Sequence, residues 1–199
     1  MKKIPTLFKR EFENHKVVKV LPEVTLGLEW VFDDPECYAT LKVDGACTAF
    51  IDGKFYKRFD AKPGRGVPEG AIPCCEADPI TGHWPNWVPI DENKPEDKWF
   101  ARAYRNSYAS VDPTVNATYE AVGPHFQKNP YGLDEDILIR HGSHVLSVDD
   151  WSFEGFRNYL MRHNIEGIVI WRRETPICKI KRSDFGIKWP GTGSVPMLL

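Results

Sequence analysis

Apolar and polar positions begin to alternate near Tyr38. The segments YATLKV (38–43), CTAFID (47–52) and KFYKRF (54–59) are rich in β-branched and aromatic residues and predict two or three strands. Asp52-Gly53 between the last two is a hairpin signal. Lys42 then falls near the end of a strand, just before an Asp44-Gly45 turn. Further strands are predicted at KWFARAY (98–104), ATYEAV (117–122), DILIR (136–140), EGIVIWR (166–172) and ICKIKR (177–182). A helix is predicted over 152–163, where Phe153, Phe156 and Leu160 recur at helical spacing and Asn164 offers a stop. Asp33-Asp34 and Asp149-Asp150 read as turns and a helix entry.

Between 61 and 98 the pattern changes to seven prolines and four glycines with little periodicity. Trp84 and Trp87 within this stretch, with Trp99 beside it, favour an ordered loop, because disordered segments are poor in aromatics. The tryptophans serve either as core or as stacking platforms for unpaired bases. No repeat, heptad or low-complexity tract interrupts the chain. The expectation is a strand-rich α+β fold built from antiparallel hairpins, with 1–199 as a single domain.

The chain has 199 residues, 42% of them hydrophobic, enough for one large core or two very small ones. A formal charge of -2 excludes binding to nucleic acid through the field of the whole protein, so such binding needs a local patch. No apolar run has the length of a membrane span, and the first residues lack a signal-peptide pattern, so a cytoplasmic protein is expected. The five cysteines, Cys37, Cys47, Cys74, Cys75 and Cys178, are odd in number and without C-x-x-C spacing, and are expected to be reduced and structural. His141 and His144 form an H-x-x-H pair without an evident third ligand, and read as loop histidines.

Five features remain, in this order: Lys42-Val43-Asp44-Gly45, Arg58, Glu120, Glu166-Gly167-Ile168-Val169, and Lys179-Ile180-Lys181. Each is common alone. Their order, with each on a strand or strand end, resembles the covalent nucleotidyltransferase superfamily of ATP-dependent DNA and RNA ligases and capping enzymes, over about 38–182. The stretch EADPITGHWPNWVPI further resembles a small group of RNA ligases found in bacteria, phages and animals.

The resemblance implies an ATP-grasp-like adenylyltransferase domain whose antiparallel sheets flank an ATP cleft. Many ligases of the superfamily carry a second domain after K-x-K, often an OB-fold, and this sequence departs from them in having few residues after Lys181, so no separate OB-fold is expected. It implies Lys42 as the nucleophile that takes AMP, with Asp44 orienting that nucleophile or a metal-bound water. Lys179 and Lys181 would hold the phosphates. Gly45 would admit the nucleotide beside the main chain, Arg58 and Glu120 would address ribose or phosphates, and Glu166 and Glu120 would help place Mg²⁺ or Mn²⁺. Lys57 and Arg65 can take the role given to Arg58. Adenine is expected at the main chain of Thr40 and Leu41, stacked on Phe126.

The residue types suit that chemistry. An attacking amine must be neutral, yet a reference lysine pKa of about 10.4 leaves roughly one in a thousand or fewer neutral at pH 7. Neighbouring cations favour the neutral amine and also offset charge developing on phosphate. The implied reaction joins a 5'-phosphate to a 3'-hydroxyl of RNA, without an obligate protein partner. Lys54, Lys57, Lys62, Arg65, Arg172, Arg173 and Arg182 are candidates to hold RNA phosphates. The alternatives are a DNA ligase, and a non-catalytic nucleic-acid-binding module of the same fold.

Overall fold

The computed structural model describes residues 3–13, 16–79, 81–196 and 198. In chain order the strands are β1 (Phe8–Glu13), β2 (Lys16–Val24), β3 (Cys37–Lys42), β4 (Ala46–Ile51), β5 (Lys54–Ala61), β6 (Ile72–Pro73), β7 (Trp84–Pro89), β8 (Ala117–Val122), β9 (Ile137–Arg140), β10 (Val145–Leu146), β11 (Gly167–Arg172) and β12 (Thr175–Lys181). The α-helices are α1 (Lys98–Asn106) and α2 (Phe153–Arg162). No helix among the described residues is long and apolar enough to cross a membrane. The expected strand-rich α+β class with antiparallel sheets is what these residues form.

The chain divides into two compact units. One unit holds Asp44–His141 with Lys3, and the other holds Ile4–Val43 and Gly142–Leu199. Each boundary falls between adjacent residues in short connections, Val43/Asp44 and His141/Gly142, so no linker composition marks it in the sequence.

In the unit of Asp44–His141 the strand order is β6-β7-β5-β4-β8-β9. Strand alternation divides the sheet into two faces. On one, Phe50, Tyr119, Ala121, Phe126 and Leu138 form a core against which Trp99, Phe100 and Tyr104 of α1 pack. On the other, Ala49, Tyr56 and Trp87 form a smaller cluster with Cys47 and Cys74 beside it.

Two expectations change here. KWFARAY is helical, because Phe100, Ala103 and Tyr104 share the helical stripe that meets the core while Arg102 and Arg105 stay exposed. The expected loop over 61–98 contains a buried strand, β7, paired along β5 from Tyr56↔Pro89 to Ala61↔Trp84. Pro85 and Pro89 carry no N–H for a ladder and so mask that strand in the sequence. Trp87 is core and Trp84 donates from Nε1 to Cys75 O at 2.8 Å. Ile80 of this stretch lies outside the described residues.

In the other unit a four-stranded sheet runs β10-β3-β11-β12 beside the β1-β2 hairpin. Its apolar face comprises Ala39, Leu41, Ile168, Ile170, Cys178 and Ile180, all buried. The predicted helix is α2, whose Phe156 and Leu160 are fully buried and whose N-cap Ser152 accepts from Gly155 N at 3.0 Å.

Candidate functional site

The opposite face of the β3-β11-β12 sheet carries the lysines. Gly167 sits across from both Lys42 and Lys181, and Val169 across from both Thr40 and Lys179. Because side chains alternate, Lys42, Lys179 and Lys181 project from one face, separated by Gly167 and Val169 of the central strand. Gly167 has no room for more: a Cβ there would lie 2.3 Å from Ile180 O.

Lys42 Nζ donates to Glu166 Oε2 at 2.5 Å, both side chains being largely buried. Burial first, then the charges of Lys42, Lys181 and Arg10, lower the pKa of Lys179 to about 8. Arg10 is itself paired with the buried carboxylate of Asp184, which also accepts from Lys181 N at 2.8 Å. Four cations, Lys42, Lys179, Lys181 and Arg10, stand against two carboxylates, Glu166 and Asp184, and the excess of positive charge suits this face to anions. The sequence features Lys42, Glu166, Lys179 and Lys181 are therefore brought together. Arg10 is a member of the group that sequence reading passed over.

Thr40 and Leu41 lie in the middle of that sheet. Thr40 is buried and donates from Oγ1 to Val169 O at 3.2 Å, and Leu41 N donates to His144 O at 2.8 Å. Within the main chain where adenine is expected, around Thr40 and Leu41, the Leu41 N–H is thus already engaged.

The remaining predicted residues belong to the unit of Asp44–His141. Asp44 N donates to Tyr131 Oη at 2.7 Å. A Cβ on Gly45 would lie 2.2 Å from Ala121 O, so packing against β8 already requires glycine there. Glu120 accepts from Gly45 N at 3.2 Å through Oε1 and is joined to His141 Nε2 at 2.7 Å through Oε2. His141, read from sequence as a loop histidine, is a largely buried partner of a predicted site residue. His144 bonds to Ser143 Oγ at 2.8 Å and to Leu198 O at 3.2 Å. Cys47 is the direct cross-strand neighbour of Glu120. Burial, with the Glu120 carboxylate adding to it, pushes its thiol up to about 12.

Arg58 donates from Nε to Asp60 at 3.0 Å and lines a cavity of about 460 Å³ with Asp60, Cys75, Glu76, Asp78 and His83. Phe126, expected to stack on adenine, is 6% exposed and meets Phe100 edge-on at 5.1 Å, within the core of this unit. Several cations expected on RNA phosphates are also committed elsewhere. Arg182 is buried on His163 O and Asn164, Lys57 pairs with buried Asp97, and Arg172 and Arg173 pair with Asp34 and Glu36. Lys54, Lys62 and Arg65 remain exposed.

No family model matches the chain. It is 23% identical to RNA ligase 1 of Pongo abelii over 273 aligned positions, covering 95% of this chain and 82% of that protein. It is 26% identical to RNA ligase 1 of Danio rerio over 140 positions, covering 55% of this chain and 42% of the relative's length. These likenesses, reaching across nearly all of the chain in the first case, support an RNA ligase relationship.

Proposed function

We propose that this chain is an ATP-dependent RNA ligase that works through a lysyl-AMP intermediate. The observation that carries the reading is the face on which Lys42, held by Glu166 at 2.5 Å, stands with Lys179 and Lys181 across two further strands. A nucleophile surrounded by fixed cations suits attack on a triphosphate, where charge builds on oxygens that those cations meet.

In the first step Lys42 Nζ bonds to the α-phosphorus of ATP as the bond to pyrophosphate breaks. Glu166, 2.5 Å from that amine, takes its proton, and Lys179 and Lys181 neutralise the departing phosphates. AMP then passes from Lys42 to the 5'-phosphate of an RNA, and a 3'-hydroxyl attacks that activated phosphate with release of AMP. Asp44, Gly45, Arg58 and Glu120 are assigned to the nucleotide side of the same reaction. The carboxylate of Glu166 is a hard oxygen donor that fits Mg²⁺ or Mn²⁺ together with phosphate oxygens. Glu120 fits such an ion less well, since its neighbours are an imidazole and a thiol. A bound Mg²⁺ or Mn²⁺ supplies Lewis-acid polarisation of phosphate oxygens.

The test is the mass of the intact protein, first stripped with pyrophosphate and then given ATP and Mg²⁺. Wild type is expected to gain one AMP and Lys42→Ala none. Absence of any gain in wild type overturns the enzyme reading in favour of a binding module. Sealing of nicked DNA but not of RNA ends by the loaded protein would assign the substrate to DNA instead.

A further inference from the structure

We propose that Cys47, Glu120 and His141 form a binding site for a divalent metal ion of the zinc class. One ligand atom from each residue lies within 4.8 Å of the other two, a spacing that small side-chain movements close to a tetrahedral edge. Strand register creates the juxtaposition. Cys47 on β4 is the partner of Glu120 on β8, and His141 N donates to Thr118 O at 3.0 Å, so His141 sits across from Thr118, two residues from Glu120 on the same face. Ligands fixed on the paired strands β4 and β8, and on the residue that follows β9 and bonds back to β8, are already organised before any ion arrives.

Two of the three ligands are also aimed. His141 Nδ1 lies 2.9 Å from Thr118 Oγ1, which holds the ring with Nε2 toward Glu120 and is the kind of outer contact that metal-ligating histidines carry. Gly45 N holds Glu120 Oε1 at 3.2 Å and leaves Oε2 facing the histidine. A thiolate, an imidazole and a carboxylate select zinc-class ions over Mg²⁺ or Ca²⁺, and three protein ligands leave a fourth position for water. Binding forms three metal–ligand bonds and releases to solvent the proton shared by His141 and Glu120 and the proton of the Cys47 thiol.

The site itself does not depend on the ligase reading. Its consequence does: if Glu120 serves the nucleotide, an ion held there competes with ATP, and zinc inhibits AMP uptake reversibly.

The experiment uses the full chain, stripped with a chelator, kept reduced, and titrated with Co²⁺ followed by Zn²⁺. One equivalent of Co²⁺ should give a thiolate-to-cobalt charge-transfer band that Zn²⁺ abolishes. Cys47→Ser should lose the band, and His141→Gln should weaken cobalt binding at least tenfold. The double variant Cys74→Ser/Cys75→Ser should retain both, with circular dichroism showing each variant folded. No band in wild type, or a band that survives Cys47→Ser, overturns the proposal and leaves a histidine–glutamate hydrogen bond only. AMP uptake is measured on the same samples. A cobalt band without uptake overturns the ligase reading alone, and uptake without a band overturns the metal site alone.

Discussion

Lys179 carries a penalty that the fold keeps. Its pKa, lowered to about 8 by burial and by Lys42 and Lys181, lies below the 10.5 of an unhindered lysine. Between these two values the unfolded chain binds more protons than the folded one, so this residue's contribution makes stability rise with pH across that window. Below it, the folded protein bears the full cost of a buried charge. Lys179→Met should therefore be more stable than wild type at pH 7, by up to about 3 kcal/mol at roughly 1.4 kcal/mol per pH unit. The advantage should fade between pH 8 and pH 10.5. Urea denaturation at pH 7 and pH 10 checks it, and an advantage independent of pH would show that packing rather than charge is responsible. The same variant should lose AMP uptake, since the removed charge is the one proposed to meet phosphate. Much of this group was legible in the sequence, because K-x-K on a strand puts both amines on one face whatever the rest of the fold. Phe126 and His141 were not, since burial of a ring and a contact across 21 residues depend on strand register that no local pattern encodes.

Among the elements, the two motif glycines make the sharper prediction. Gly45 and Gly167 would each place a Cβ within 2.2 and 2.3 Å of a neighbouring strand's carbonyl oxygen. Backbone cannot yield as a side-chain tip does, so Gly45→Ala and Gly167→Ala should each cost about 3 kcal/mol or more, read as a fall in thermal midpoint. Ser152→Ala, which removes the α2 cap, should cost only about 1 kcal/mol. If Gly45→Ala is as mild as Ser152→Ala, the close approach of β4 and β8 is wrong. The strands β3, β4, β5, β8, β9, β11 and β12 follow from short runs of β-branched and aromatic residues, with a turn signal such as Asp52-Gly53 between them. α1 was hidden by its aromatics, which suit a strand by propensity. In KWFARAY the stripe of Phe100, Ala103 and Tyr104 on a core of Phe50 and Tyr119 decides for the helix. β7 was hidden by its prolines.

For the whole molecule, charge bears directly on how RNA would be held. A net charge of -2 gives no general attraction, and Lys57, Arg172, Arg173 and Arg182 are committed to carboxylates or carbonyls within the protein. Among the cations expected to meet RNA, Lys54, Lys62 and Arg65 stay exposed. If these three supply the phosphate contacts, each single-strand contact releases about 0.7 of a counterion, and log K against log salt should fall with a slope of about -2. The double variant Lys62→Ala/Arg65→Ala should reduce that slope by about 1.4 and weaken binding equally for unrelated RNA sequences, because phosphate contacts carry no base information. It should leave AMP uptake by Lys42 unchanged, because Arg58 rather than Arg65 is assigned to the nucleotide and neither substituted residue belongs to the lysine face. Filter binding of a 5'-phosphorylated RNA at a series of salt concentrations measures the slope directly. An unchanged slope in the double variant would move RNA recognition away from the 62–65 segment, whereas a lost AMP uptake would mean that this segment serves the nucleotide rather than the polynucleotide.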